Sequence, residues 1–140
     1  MSLALRNVSG NGAFACKITA TGYIFTVNME YFTELSVNRY KYFGSTRTKR
    51  EVRQWMEDLS KALSDMGNYQ NIYWQEYSIT VRIDGFFKDK RAPDLSNLAK
   101  VTMDAIEDCT LVNDKLYSLE TGVPEIGEPK LIITVKAERK

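Results

Sequence analysis

Between Phe86 and Asp114 the chain reads FFKDKRAPDLSNLAKVTMDAIEDCTLVND. Carboxylates, an amide, a hydroxyl and a lysine fall here at the start of one expected helix and in the turn beyond its end. Asp94 precedes the helix and Ser96 is its expected N-cap, so the carboxylate stands near backbone N–H groups that lack intrahelical partners. Lys100, one turn in, could hold a phosphate or an attacking water. Asn97 and Asp104, three and four residues from Lys100, share its face and could orient it. Asp114 returns after the helix, within reach of the same centre only if the fold brings it there. Phosphodiester cleavage needs a nucleophilic water, neutralised phosphate oxygens and a stabilised leaving group, and metal ions held by converging carboxylates supply all three. Each residue also has an ordinary role: Asp94 and Ser96 as caps, Asn97 and Lys100 as solvent-facing side chains, Asp114 in a turn. Spacing alone leaves both readings open.

The rest of the composition narrows the chemistry. The chain of 140 residues has no histidine and two cysteines. That excludes Ser-His and Cys-His nucleophilic pairs, histidine-dependent nucleases and the common zinc sites. Catalysis must then rest on carboxylates, lysine, tyrosine or a metal held by oxygen, and oxygen ligands select hard cations such as magnesium, with manganese as a substitute. Cys16 and Cys109 are expected to be small buried or half-buried residues rather than a disulfide.

Net charge is only +1, so a nucleic-acid footprint has to be local. Arg39, Lys41, Arg47, Lys49, Arg50 and Arg53 lie close together with Glu51 as the one acid among them. Lys88, Lys90 and Arg91 form a second cluster just before the carboxylate segment, interrupted by Asp89. Positive charge beside a carboxylate site attracts phosphates to a held metal, whereas the first cluster alone would also suit a solvated helix face. Tyr31, Tyr40, Tyr42 and Phe43 interleave with Arg39 and Lys41, a mixture that stacks bases and holds phosphates, or that closes over a small core.

These residues need elements to position them. Residues 1–12 are polar and dotted with glycine, which suggests a flexible lead-in to one domain over 13–140. Phe14–Ile18 and Tyr23–Val27 read as short strands. From Thr48 to Met66, Val52, Trp55, Met56, Leu59, Ala62, Leu63 and Met66 make an apolar stripe at helical spacing, with Thr48 and Glu51 as a capping box and Gly67 as the C-terminal cap. The basic first turns of that helix oppose its dipole, a cost that a nearby anion would offset. Tyr77–Phe87 alternates as a strand, with Gly85 marking a bulge or a close backbone approach. A second helix is expected over about Ser96–Asp108, burying Leu98, Val101 and Ala105 with Ile106 at the margin. A short strand near Leu116–Glu120, a loop over Thr121–Pro129 and a last strand over Lys130–Ala137 follow. The result is a mixed α+β domain in the order β-β-α-β-α-β-β, a small mixed sheet with two main helices. No apolar run approaches the roughly 20 residues of a spanning helix, and no signal peptide is read at the start, so no membrane partner and a cytoplasmic location are expected.

The run Asp94-Leu95-Ser96-Asn97-Leu98-Ala99-Lys100, then Asp104-Ala105-Ile106, then Val112-Asn113-Asp114, resembles the signature of the RusA family of Holliday-junction resolvases. Ser36-Val37-Asn38-Arg39-Tyr40 is similar to that family's Asn-Arg-Tyr segment, which leads into a basic helix. The resemblance covers roughly residues 23–137 and is specific in the central segment. It implies a magnesium-dependent endonuclease that acts as a homodimer and nicks four-way DNA junctions in recombination and repair, in a family often carried by phages and prophages. Asp94, Lys100 and Asp114 would be catalytic, with Asp94 and Asp114 binding metal and Asn97 and Asp104 supporting them. Asn38, Arg39, Arg47, Lys49, Arg50, Arg53, Lys88, Lys90 and Arg91 would contact DNA. Two positions depart from the pattern. Ser96 stands where the family has a second aspartate, and Asn113 where the first acid of the late pair stands. A hydroxyl and an amide carbonyl still coordinate magnesium, so Ser96 and Asn113 remain candidate ligands, and Asp89 or Asp104 could compensate. The alternative is a catalytically weakened junction-binding protein on the same fold.

Overall fold

A computed structural model describes residues 3–7, 13–37, 39–41 and 48–140. Its elements are β1 (Leu3–Asn7), β2 (Ala13–Ile18), β3 (Gly22–Met29), α1 (Arg50–Tyr69), β4 (Tyr77–Phe87), α2 (Ala99–Thr110), β5 (Ser118–Thr121), β6 (Glu125–Ile126) and β7 (Lys130–Arg139). They form one sheet in the order β1-β2-β3-β7-β4-β5, with β6 pairing farther along β4. All pairs are antiparallel except β5 and β6, which run parallel to β4. This is the expected mixed α+β domain. Strand β1 lies within the stretch expected to be a lead-in, and β6 within the expected loop.

Alternation makes one face of the sheet apolar, and register aligns it. Val81 faces Val135, Ile83 faces Ile133, and on the other side of β7 Phe25 and Val27 face the same two residues. All six are fully buried. Burying each such side chain stabilises the fold by roughly 1.5–3 kcal/mol. From α1, Val52, Trp55, Leu59, Ala62, Leu63 and Met66 cover this face, and Val101, Ala105 and Ile106 of α2 join the same core. Ile106 is therefore central to the buried face, not marginal. Trp55 also donates its indole N–H to the Glu30 carbonyl at 2.9 Å, pinning α1 to the end of β3.

The ends of α1 differ from expectation. Lys49, not Thr48, is the N-cap, and its side chain makes no capping hydrogen bond. Thr48 is occupied in a bridge to Lys41. Gly67 lies inside the helix, where a Cβ would come within 2.9 Å of Ile72 and 3.0 Å of Trp74. It serves a close approach, not a helix stop. Cys16 and Cys109 are unpaired, buried and half-buried respectively. No helix among the described residues is long and apolar enough to cross a membrane.

Candidate functional site

The connection from β4 to α2 is anchored by apolar residues and presents polar ones. Gly85 pairs regularly with Leu131, so it marks no bulge. A Cβ there would lie 2.7 Å from the Phe87 ring and 3.1 Å from Leu95, so its absence lets both side chains seat. Leu95 and Leu98 point inward and are buried, while Asp94, Ser96 and Asn97 between and before them are exposed. Residues Leu95–Leu98 form a 3-10 turn ahead of α2, and Asp94, not Ser96, caps it. The Ser96 backbone N–H and its hydroxyl both donate to Asp94 Oδ1, at 3.0 and 2.9 Å. These two bonds, the backbone one first, hold the Asp94 carboxyl below the usual carboxylate range.

Lys100, exposed on the first turn of α2, donates to Asp104 Oδ1 at 3.0 Å. That bond and the accompanying charge attraction raise the lysine's pKa, and the Tyr40 phenol and the Asp114 carboxylate add to the rise. One ammonium thus feels Asp104, Tyr40 and Asp114 together. Asp114 arrives there by a sharp exit from α2. Leu111 takes a left-handed conformation at φ 59°, its N–H donating to the Glu107 carbonyl at 2.8 Å. Asn113 then caps the next short turn by accepting from the Lys115 N–H at 2.9 Å. The Glu107 carboxylate accepts from the Asp114 N–H at 2.8 Å. Tyr117 closes the loop. Its hydroxyl donates to the Val112 carbonyl at 3.0 Å and shares a hydrogen bond with Thr110 Oγ1, which in turn accepts from the Val112 N–H. Burial pushes the Tyr117 phenol up to about 12. Burial, with Asp104 and Glu107 nearby, also raises the Asp108 carboxyl.

The second sequence segment docks onto the first. The Val37 N–H donates to the Asn97 carbonyl at 2.8 Å. A turn at Ser36, whose carbonyl accepts from Arg39 and Tyr40, then buries Tyr40 and leaves Arg39 exposed. The Lys49 N–H donates to the Tyr40 carbonyl at 2.9 Å, so the basic start of α1 is tied to the same segment. Arg50, Arg53, Lys88 and Lys90 are exposed, and among the described residues no carboxylate forms an ion pair with them or with Arg39 or Lys49. Asn38 and Arg47, with Tyr42 and Phe43, lie outside the described residues.

Two expected stand-ins for missing acids are engaged elsewhere. Asp89 binds Arg91 through both its side chain and its backbone, at 3.0 and 2.8 Å, and Asp104 binds Lys100. Among the described residues no three acidic or thiol side chains gather as a cation cage. The donors that are present, carboxylate, hydroxyl and amide oxygens, suit magnesium, which commonly takes one or two carboxylates and completes its shell with water and substrate phosphate. Sequence reasoning did not single out Glu107, Thr110 or Tyr117. Their contacts are made by a chain reversal that leaves no spacing pattern. Tyr40, expected as a loop aromatic within the Asn-Arg-Tyr segment, is buried, and its burial follows from the Ser36 turn.

A profile of the endodeoxyribonuclease RusA family matches residues 35–136. No curated protein matches the chain. Among solved structures, the periplasmic domain of MotB (residues 64–256) is similar at TM-score 0.47 and 13% identity, covering 99% of this chain and 76% of that one. The OmpA-like domain of FopA1 from Francisella tularensis subsp. tularensis SCHU S4 has TM-score 0.44 and 10% identity, with 96% and 86% covered. The periplasmic domain of Helicobacter pylori MotB (residues 90–256) has TM-score 0.47 and 12% identity, with 96% and 86% covered.

Proposed function

The chain belongs to the RusA endodeoxyribonuclease family, and from that premise we propose that it resolves Holliday junctions by paired, magnesium-dependent nicks. The observation that carries this reading is the Lys100–Asp104 pair at 3.0 Å on the helix that follows Asp94, with Asp114 near enough to add to the rise in the lysine's pKa. In this reading Asp94 and Asp114 hold the cation, with the Ser96 hydroxyl and the Asn113 amide as neutral oxygen donors beside them. The bound cation supplies neutralised phosphate oxygens and an activated water. Asp94, held ionised by Ser96, acts as an acceptor only. Lys100, kept protonated and aimed by Asp104, offers positive charge to the phosphate as negative charge builds. Asn97 supports the turn through its carbonyl. Arg39, Lys49, Arg50, Arg53, Lys88, Lys90 and Arg91 hold the backbone of branched DNA, as do Asn38 and Arg47. A homodimer matches the two-fold symmetry of a junction that needs two equal nicks. The cytoplasm is where such a chain meets its DNA.

A second reading, a weakened junction-binding protein, is favoured by Ser96 and Asn113 standing in place of acids. Their polar atoms are already used, on Asp94 and on the Lys115 N–H. The test is a nicking assay on a synthetic four-way junction with magnesium or manganese, beside a binding assay in EDTA. Symmetric, metal-dependent nicks support the nuclease. Tight, salt-sensitive binding without nicks supports the weakened protein, and no DNA binding overturns both.

A further inference from the structure

A cleft of about 580 Å³ opens between the segment after β3 and the segment after β4. Three aromatic side chains among the described residues line it. Tyr31 and Phe32 are half-buried, and Phe87 is buried behind Tyr31, edge-on at 5.1 Å between ring centres and 86° between planes. That edge contact holds the Tyr31 ring in place, so it forms a fixed plate in the cleft wall. Charged groups also line it: Lys88, Arg91, Glu34 and Asp89. Among the described residues these charges balance, and Arg91 is already bound to Asp89 at 3.0 Å. A bare phosphate would find little net attraction here. A flat, neutral ring with hydrogen-bonding edges finds both an apolar plate and partners of either kind.

The cleft is also close along the chain to the candidate site. Arg91 is three residues from Asp94, and an extended chain of that length spans at most about 11 Å. That is roughly three steps of a nucleic-acid strand at its usual rise.

We propose that this cleft takes an unpaired nucleobase of the DNA substrate, stacked on Tyr31, with Lys88 over the adjoining phosphate. The inference rests on the nuclease reading and adds to it the feature that separates branched or frayed DNA from plain duplex. Duplex bases are stacked and paired and cannot enter; a base freed at a branch can. Aromatic stacking tolerates any base, so the cleft selects for an unpaired base without reading its sequence.

The test uses the full chain in EDTA with branched DNA carrying the fluorescent base 2-aminopurine at one unpaired position near the branch, or the same base fully paired. Binding should quench the unpaired probe and leave the paired one unchanged. Tyr31→Ala should abolish quenching and weaken binding of the unpaired substrate by roughly 5- to 150-fold, the span of one base–aromatic stack. Tyr31→Phe should restore both. A nucleoside monophosphate should displace the probe where inorganic phosphate does not. Bound DNA with unchanged fluorescence, quenching retained in Tyr31→Ala, or displacement by inorganic phosphate alone overturns the cleft while leaving the nuclease reading intact. If Tyr31→Ala does not fold, the wild-type fluorescence and the displacement series decide. Absence of DNA binding of any kind brings down the nuclease reading itself, and this inference with it.

Discussion

The backbone N–H of Val37 donates to the carbonyl of Asn97 at 2.8 Å. This single bond joins segments sixty residues apart in sequence, 36–40 and 94–100, which carry the two halves of the family resemblance. Because it is made by main chain on both sides, it fixes the two segments against each other whatever their side chains do. Val37→Pro removes the donor and leaves the carbonyl without it. Stability should fall by about 1–3 kcal/mol, and nicking should fall further than the loss of folded protein explains, as Arg39 and Tyr40 lose register with Asp94. Thermal melting beside the nicking rate checks this. Unchanged nicking in a folded Val37→Pro protein would show that the tie is dispensable.

Asp94→Asn and Asp114→Asn test the two carboxylates separately. Each keeps the shape, removes the charge and turns one acceptor oxygen into an N–H donor. Groups one shell out from a metal typically cost 10–100-fold, so direct ligands should cost at least roughly 100-fold in nicking. Junction binding in EDTA should hold or tighten, since a negative charge near phosphate is removed. Full cleavage by either variant would remove that residue from the site.

Lys100 should act as a fixed cation. Its pKa is raised, chiefly by Asp104, so the folded form holds its proton above the range where an unfolded lysine loses it. The clamp's contribution is therefore complete below the unfolded pKa and disappears only as pH rises through the raised one. Between about pH 6 and 9, well below an ordinary lysine pKa, nicking should show no inflection due to Lys100. Asp104→Asn should lower the rate about 10–100-fold with little change in melting temperature, because the pair is on the surface. A rate that climbs through an ionisation absent from Lys100→Ala would instead make the lysine a base.

How much of this was legible beforehand follows from which forces act locally. The alternation of Ile79, Val81 and Ile83 and the stripe from Val52 to Met66 are local patterns that a core rewards directly, so those elements could be read. Capping could not be read reliably. Thr48 and Ser96 have the right residue types, but Thr48 is taken by a bridge to Lys41, and Asp94 reaches the Ser96 N–H first. The position of Asp114 depends on Leu111 turning left-handed and on Glu107 catching the Asp114 N–H. Leucine is a poor marker for that conformation, so the sequence carries no flag for the reversal.

Tyr117→Phe probes the latch behind Asp114. The change removes the hydroxyl shared with Thr110 and its donation to the Val112 carbonyl. A cost of about 1–3 kcal/mol is expected from the half-buried groups left unpaired. The pH dependence has a definite sign. The folded phenol titrates near 12 against an ordinary 10.0, so the folded state binds this proton more tightly. Its contribution is whole below pH 10 and is lost as pH rises from about 10 to 12. Wild-type melting temperature should therefore drop more steeply than that of Tyr117→Phe across this window. Parallel curves would mean that the phenol is not held neutral by the fold.

Ser96→Asp places a second carboxylate where the Ser96 hydroxyl now donates to Asp94 at 2.9 Å. Two like charges at that distance cannot both ionise freely, so in EDTA the variant should melt lower than wild type and one carboxyl should titrate higher. A divalent cation between them reverses the effect. Magnesium at about 100 times its dissociation constant stabilises a binding protein by about 2.7 kcal/mol, so the variant's melting temperature should rise with magnesium more steeply than the wild type's. Nicking at limiting magnesium should rise in step. The paired measurements also separate the two functional readings. If wild type already nicks, Ser96 is a tolerated variation and Ser96→Asp improves metal affinity. If wild type binds without nicking, cleavage appearing only in Ser96→Asp identifies the lost carboxylate as the cause. A variant that neither gains magnesium-dependent stability nor nicks would show that position 96 does not face the cation, and would remove Ser96 from the ligand set.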